Sequence, residues 1–457
     1  MRGHVVEERP GAASPRPYEF PAFRRHRLSN GLALIAADLP GRPLVSASLV
    51  FRIGAADEPA GLAGATVLAA RALTEGTERY DAVELVEAAE RLGASLHVEA
   101  GWDALQAGVD VPASRLGPAL ELLAEVVEHP TFPDSEVERL RDERLNDILQ
   151  ARAEPRRRAD EAYWSAIYAG ESPYHRPSGG TAETVGRLTR DPIRSVYRRG
   201  LDPASMTLIV AGDLGGQDPR SMAERLMGGW SQTPESGPVS RPVDAAATTG
   251  RHVRVIHRPG SVQSEVRVGH VGVPRRIDDF HAVSVLSAIL GGLFNSRLNR
   301  KLREEKGYTY GASAGFDFRR ASGPFTARAA VATEVTAAAV TDILTQLEQI
   351  CEAPVEASEL AAARDFLVGV FPLRFETPGP VVGALSGLVV HGLPDDELAR
   401  YRPSIEAVTI DAVLDAARKR IRPDRFAVVM VADADHVAPD LEAAGLTPLV
   451  IERDEDG

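Results

Sequence analysis

Glu128-His-Pro-Thr-Phe-Pro-Asp-Ser-Glu136 and Cys351-Glu-Ala-Pro-Val-Glu-Ala-Ser-Glu359 are two versions of one pattern. Each follows an apolar segment of helical period, 115–128 in the first case and 333–351 in the second. Proline breaks that helix, and a small polar or acidic residue starts another. The spacing predicts a helix to about 152, capped by Asp134 or Ser135, and one to about 370, capped by Ser358. Proline returns soon after both, in Ala153-Glu-Pro155 and Glu376-Thr-Pro378. Such a pattern met twice in one chain points to an internal repeat.

The repeat extends in both directions. Alternating apolar strands open each part: 31–37 and 46–51, then 253–257 and 265–269. A helix is expected over 60–73 and again over 279–290, with further strands in 95–110 and 308–331. Each part closes with a helix and a strand, 193–200 then 206–213, and 410–421 then 426–433. Between them lies 231–250, rich in proline, serine and small residues, which reads as a linker. The expectation is therefore an α+β chain of two homologous halves, each a mainly antiparallel sheet covered by helices. The halves are 22–230 and 251–457, preceded by a flexible lead over 1–21.

Composition narrows the function. With 44% hydrophobic residues in 457, the chain can bury ample core. A net charge of −13 argues against nucleic-acid binding, which requires a basic footprint. Its single cysteine, Cys351, excludes an internal disulfide and a cysteine zinc cage. Met1–Pro10 has no apolar core, and no apolar run nears the roughly 18–20 residues that span a bilayer. No membrane association and a cytoplasmic location are expected.

Two segments carry candidate chemistry. In Leu302-Arg-Glu-Glu-Lys-Gly-Tyr-Thr-Tyr310, Arg303 offers a forked guanidinium and Tyr310 a phenol. Taken alone, Arg303 reads as a solvated helix residue and Tyr310 as a strand aromatic. The other segment is Gly64-Ala-Thr-Val-Leu-Ala-Ala-Arg-Ala-Leu-Thr-Glu-Gly-Thr77, an apolar helix. Gly311-Ala-Ser-Ala-Gly315 matches a serine-nucleophile elbow, but it runs on into an alternating strand rather than a helix. The eleven histidines are scattered and include no H-x-x-x-H or H-x-H.

These segments, with the repeat, resemble the inverzincin peptidases: pitrilysin, insulin-degrading enzyme and, nearest in size, the mitochondrial processing peptidase group. Active members carry H-x-x-E-H on a helix just before Gly-Thr, where two histidines bind zinc and the glutamate is the general base. Counting back from Gly76-Thr77 puts Val67 and Arg71 at the histidine positions and Ala70 at the base. The distal ligand falls on Asp147, 76 residues after Arg71. Aliphatic Val67 cannot bind a metal, and Arg71 brings a fixed positive charge against a dication. No metal is expected in this chain, and an Arg71–Asp147 ion pair is expected to fill the old site. The resemblance makes Arg303 and Tyr310 the pair that grips a peptide backbone. It implies a non-catalytic, substrate-binding subunit whose homologous partner supplies the zinc in a heterodimeric peptidase. The alternative is a catalytically dead structural or peptide-binding scaffold, or a homodimer with lost activity.

Overall fold

The computed structural model describes residues 16–231 and 250–453. Most of the expected linker, and residues 1–15 of the expected lead, lie outside them. The rest of that lead packs on the second half: Tyr18 and Phe20 meet Phe371 and Phe375 edge-on.

Strands β1 (Phe23–Arg27), β2 (Ala33–Asp38), β3 (Leu44–Phe51), β4 (Ser95–Ala100), β5 (Leu105–Pro112) and β6 (Thr207–Gly212) form one sheet, in the order β1-β2-β6-β3-β5-β4. Strands β7 (His252–His257), β8 (Gln263–Val271), β9 (Ala312–Phe316), β10 (Pro324–Ala332), β11 (Ala427–Ala432) and β12 (Leu449–Arg453) form the other, in the order β12-β7-β11-β8-β10-β9. The series β2-β6-β3-β5-β4 maps onto β7-β11-β8-β10-β9. In both, the first pair is parallel and the rest antiparallel. Only the outer strand differs. β1 arrives from upstream and runs antiparallel to β2, whereas β12 arrives from downstream and runs parallel to β7. This is the α+β architecture of two sheet-and-helix halves.

Several boundaries differ from expectation for local reasons. The expected helix over 60–73 begins with a tight turn, Ala60–Leu62, and becomes α-helical only over Ala65–Ala72. The helix expected over 279–290 is regular over Phe280–Ser287 and then widens into a π turn, Ala288–Gly292. Neither polar cap operates as expected. Asp134–Ala153 starts after Pro133 with no side-chain cap bond. Ala357–Val370 is capped by Glu356, whose N–H donates to Glu359 Oε2 at 3.0 Å, while Ser358 only bonds the Glu356 carboxylate.

The two sheets exchange helices. Pro155–Ile167 belongs to the first half but lies on the second sheet, burying Ala159, Ala162, Tyr163 and Ala166 against Ala427, Val429 and Val431. Pro378–His391 does the reverse, burying Val381, Val382, Leu385 and Leu388 against Ile35, Val50, Ile209 and Ala211. Each helix carries proline in its first turn, where the missing N–H has no helical partner in any case. The exchange explains why β6 and β11 are buried along their whole length. Side chains alternate across a strand. Val428 and Met430 therefore enter their own half's core while Val429 and Val431 meet the helix from the other half.

Candidate functional site: a filled metal position and an arginine–tyrosine cleft

The Ala65–Ala72 helix is held at its start by a residue that sequence reasoning missed. Glu58 is buried and accepts hydrogen bonds from Gly64 N at 2.9 Å and Thr66 N at 2.6 Å. A carboxylate suits the positive end of a helix. Burial nonetheless pushes the Glu58 carboxyl above its ordinary range, against those hydrogen bonds. Gly64 has φ of +96°, and a Cβ there would lie 2.8 Å from Gly179 O, so glycine is required. A lone glutamate six residues before a helix carries no signal by which it could have been found.

The Asp134–Ala153 helix packs across this one and presents Glu143 and Asp147, one turn apart. Arg71 Nη2 donates to Glu143 Oε2 at 2.9 Å, and its Nη1 lies 3.8 Å from Asp147 Oδ2. Glu143 is thus the principal partner and the expected Asp147 the secondary one. Arg139 adds contacts to Glu75 at 2.7 Å and to Glu143 at 2.5 Å. Ala70 points into the core, and Val67 is half-buried one turn before Arg71. The residues present do not fit zinc. Two of the three ligand positions offer no lone pair, and a guanidinium occupies the carboxylates that remain.

Arg303 and Tyr310 do come together. Both line a cleft of about 430 Å³, with Phe294, Asn299 and Ser313. The cleft depends on a close approach of backbone to backbone, since a Cβ on Gly291 would lie 2.0 Å from Ala314 N on β9. Asn299 fastens the segment, accepting from Ala312 N at 2.8 Å and donating to Leu293 O at 3.1 Å. Arg303 stands in a second π turn, Arg300–Glu305, a geometry often found at functional sites. Its guanidinium carbon lies 4.3 Å from the Phe294 ring centre, a cation–π contact that fixes the plane of the fork. Its Nε lies 3.4 Å from Glu304 Oε1. Tyr310 is 94% exposed. A phenol so bare gains nothing from packing where it stands. Ser313 lies on β9, the edge strand beside Tyr310, in a strand rather than an elbow. His97, on β4, the corresponding edge strand of the first sheet, sits 3.8 Å from Asp110.

Among the described residues, one set of side chains is close enough to share a cation: His257, Asp433 and Asp435. Each is already engaged. His257 Nδ1 accepts from Ala434 N at 3.1 Å, Asp433 caps the helix Ala434–Ala443, and Asp435 pairs with Arg453 at 2.5 Å.

Known proteins place this architecture. The family described as "Insulinase (Peptidase family M16)" matches residues 34–177, and "Peptidase M16 inactive domain" matches residues 187–367. A chain described as an uncharacterized zinc protease of Mycobacterium bovis is 26% identical over 402 residues, covering 87% of this chain and 90% of that one. A non-peptidase homolog of Helicobacter pylori is 23% identical, covering 85% of this chain and 89% of its own. The crystal structure of a peptidase M16 inactive domain from Pseudomonas fluorescens superposes with a TM-score of 0.81 at 24% identity, covering 90% of this chain and 98% of the other. The two family matches, which together span most of the sequence, show that the chain belongs to peptidase family M16.

Proposed function

We propose that this chain is the non-catalytic, peptide-holding subunit of a two-chain zinc peptidase, with a homologous partner supplying the zinc site. One observation carries the reading. The position that would hold a metal is filled by an arginine–carboxylate contact, while Arg303 and Tyr310 remain open to a shared cleft. Arg303 would donate to a peptide carbonyl, or to the negative oxygen that develops there, and Tyr310 would hydrogen-bond beside it. The half that matches the insulinase description is the one that carries Val67 and Arg71. The cytoplasm is the compartment we assign, from the lone Cys351 and from the lack of any described helix long and apolar enough to cross a membrane; cell fractionation tests it.

Arg303→Ala should lower turnover by the assembled peptidase by roughly 10²–10³, as expected for losing a donor to developing charge, and leave assembly intact. The chain by itself should hold no stoichiometric zinc and cleave no peptide. Unchanged turnover in both Arg303→Ala and Tyr310→Phe would remove the peptide-holding role.

A second reading is favoured by the Helicobacter relative, which is named a non-peptidase homolog. On that reading the chain is a scaffold with no peptidase partner. Purification from the native cell separates the two, because only the first requires a co-purifying chain with H-x-x-E-H.

A further inference from the structure

We infer that the Arg303–Tyr310 cleft selects peptides that present a carboxylate, over neutral or basic ones; this rests on the peptide-holding role proposed above. The charges around the cleft favour such a ligand. Arg156, Arg267, Arg303 and Arg328 line it with one acid, Glu265; Arg267 and Arg303 also meet Asp160 and Glu304, which leaves the charges of Arg156 and Arg328 in excess. That excess stands in a chain whose net charge is −13, so it is not the average surface. The one acid is already used. Arg267 is buried, and its Nη1 donates to Glu265 at 3.0 Å while its Nε donates to Asp160 at 2.6 Å.

Among the described residues, no acid is left to neutralise Arg328. On β10 it stands directly opposite Arg267 on β8, with Ser313 across from it on β9. Like charges directly opposite each other on neighbouring strands destabilise a sheet. Arg328 and Arg156 are exposed, and neither has a carboxylate within ion-pair reach among the described residues. Among the described residues the acid in reach of Arg303 is its chain neighbour Glu304, on Nε, which leaves both Nη groups without a carboxylate. A guanidinium fork binds a carboxylate through two parallel hydrogen bonds, and a cleft lined by one sign of charge concentrates the opposite sign. Arg156 stands in the first turn of the exchanged helix Pro155–Ile167, while Arg303 and Arg328 belong to the second half. The positive rim is therefore complete only where the two halves meet.

The carboxylate can come from an acidic side chain or from a peptide C-terminus. The test uses the purified full chain and fluorescently labelled extended peptides in three matched series, with glutamate, glutamine or lysine at the varied positions. Each series is made as free acid and as C-terminal amide. The glutamate series should bind on the order of tenfold or more tighter than the glutamine series, since hydrogen bonds to charged groups contribute about 1.5–3 kcal/mol. The advantage should shrink as salt is raised. Arg156→Gln and Arg328→Gln should each erode the preference, and Arg303→Ala should weaken all series. If amidation alone removes the advantage, the terminus is what the cleft reads; if it persists in the amides, side chains are. Equal binding of glutamate and glutamine peptides, both lost in Arg303→Ala, would overturn carboxylate selection and leave the peptide-holding role standing. No peptide binding in any series, or binding unaltered by Arg303→Ala, would overturn both.

Discussion

On the function proposed above, Val67 and Arg71 are the residues that deprive this chain of a peptidase metal of its own. They stand one helical turn apart on the face that meets Glu143 and Asp147. Arg71 and its partners are each more than a third exposed, so the contact adds little stability. Arg71→Ala should change unfolding free energy by less than about 1 kcal/mol in chemical denaturation. The role we propose for the arginine is to exclude a cation. Val67→His combined with Arg71→His would place two imidazoles one turn apart, with Asp147 as the third ligand. That double variant should retain roughly one zinc per chain after dialysis, measured by elemental analysis, against none in the parent. With Ala70 still at the base position it should remain inactive. A double variant free of metal would show that the helix is aligned to the family in the wrong register.

The elements that hold the halves together were the least legible. Strand pairs and most helices follow from alternation and from proline or glycine breaks, because those signals are local. The exchange of helices is not local. The segments after Pro155 and Pro378 are helical stretches whose apolar faces match a sheet in either half equally well, so sequence alone could mark where they start but not where they lie. The same limit hid Glu58, whose role exists only once Gly64 and Thr66 fold back over it. By contrast, Arg303 and Tyr310 could be found because a short motif carries them. Their setting in a π turn and the arginines around them came only with the fold. The exchanged helices make a direct prediction. Tyr163, fully buried on Pro155–Ile167, donates its hydroxyl to Phe325 O on β10 at 2.5 Å. Tyr163→Phe removes the donor and leaves a buried carbonyl short of a partner, which should cost about 1–3 kcal/mol. Leu385→Ala, on the reciprocal helix, deletes a fully buried side chain and should cost about 2–5 kcal/mol. Both losses should be read from denaturant midpoints, and a surface-sized effect in either would contradict the packing described.

At the scale of the molecule, the halves are also joined by a polar clamp near their meeting line. Arg320, from the second half, donates from Nη2 to both carboxylate oxygens of Asp57 of the first, at 2.7 and 2.8 Å, and its backbone N–H donates to Asp103 at 2.7 Å. Beside it, Arg319 lies against Trp102 and Tyr174, 4.7 and 4.6 Å from their ring centres. Burial pushes the Asp57 carboxyl above its ordinary range even with the guanidinium next to it, so the pair sets a desolvation cost against a close contact from one guanidinium nitrogen. Such a pair is poor at adding stability and good at fixing one arrangement, because breaking it strands a charge in the interior. Arg320→Met should therefore cost about 3–5 kcal/mol in chemical denaturation, far more than Arg71→Ala on the exposed surface. Adding Asp57→Asn to Arg320→Met removes the nearer of the two carboxylates left unpaired, the other being Asp103 at 3.7 Å from Arg320 Nε, and should recover a large part of the loss. If the single variant is as stable as the parent, the clamp does not hold the halves in register. If the double variant is no better than the single, the cost lies in lost packing of the arginine stem rather than in an unpaired aspartate, and the electrostatic account of the junction fails.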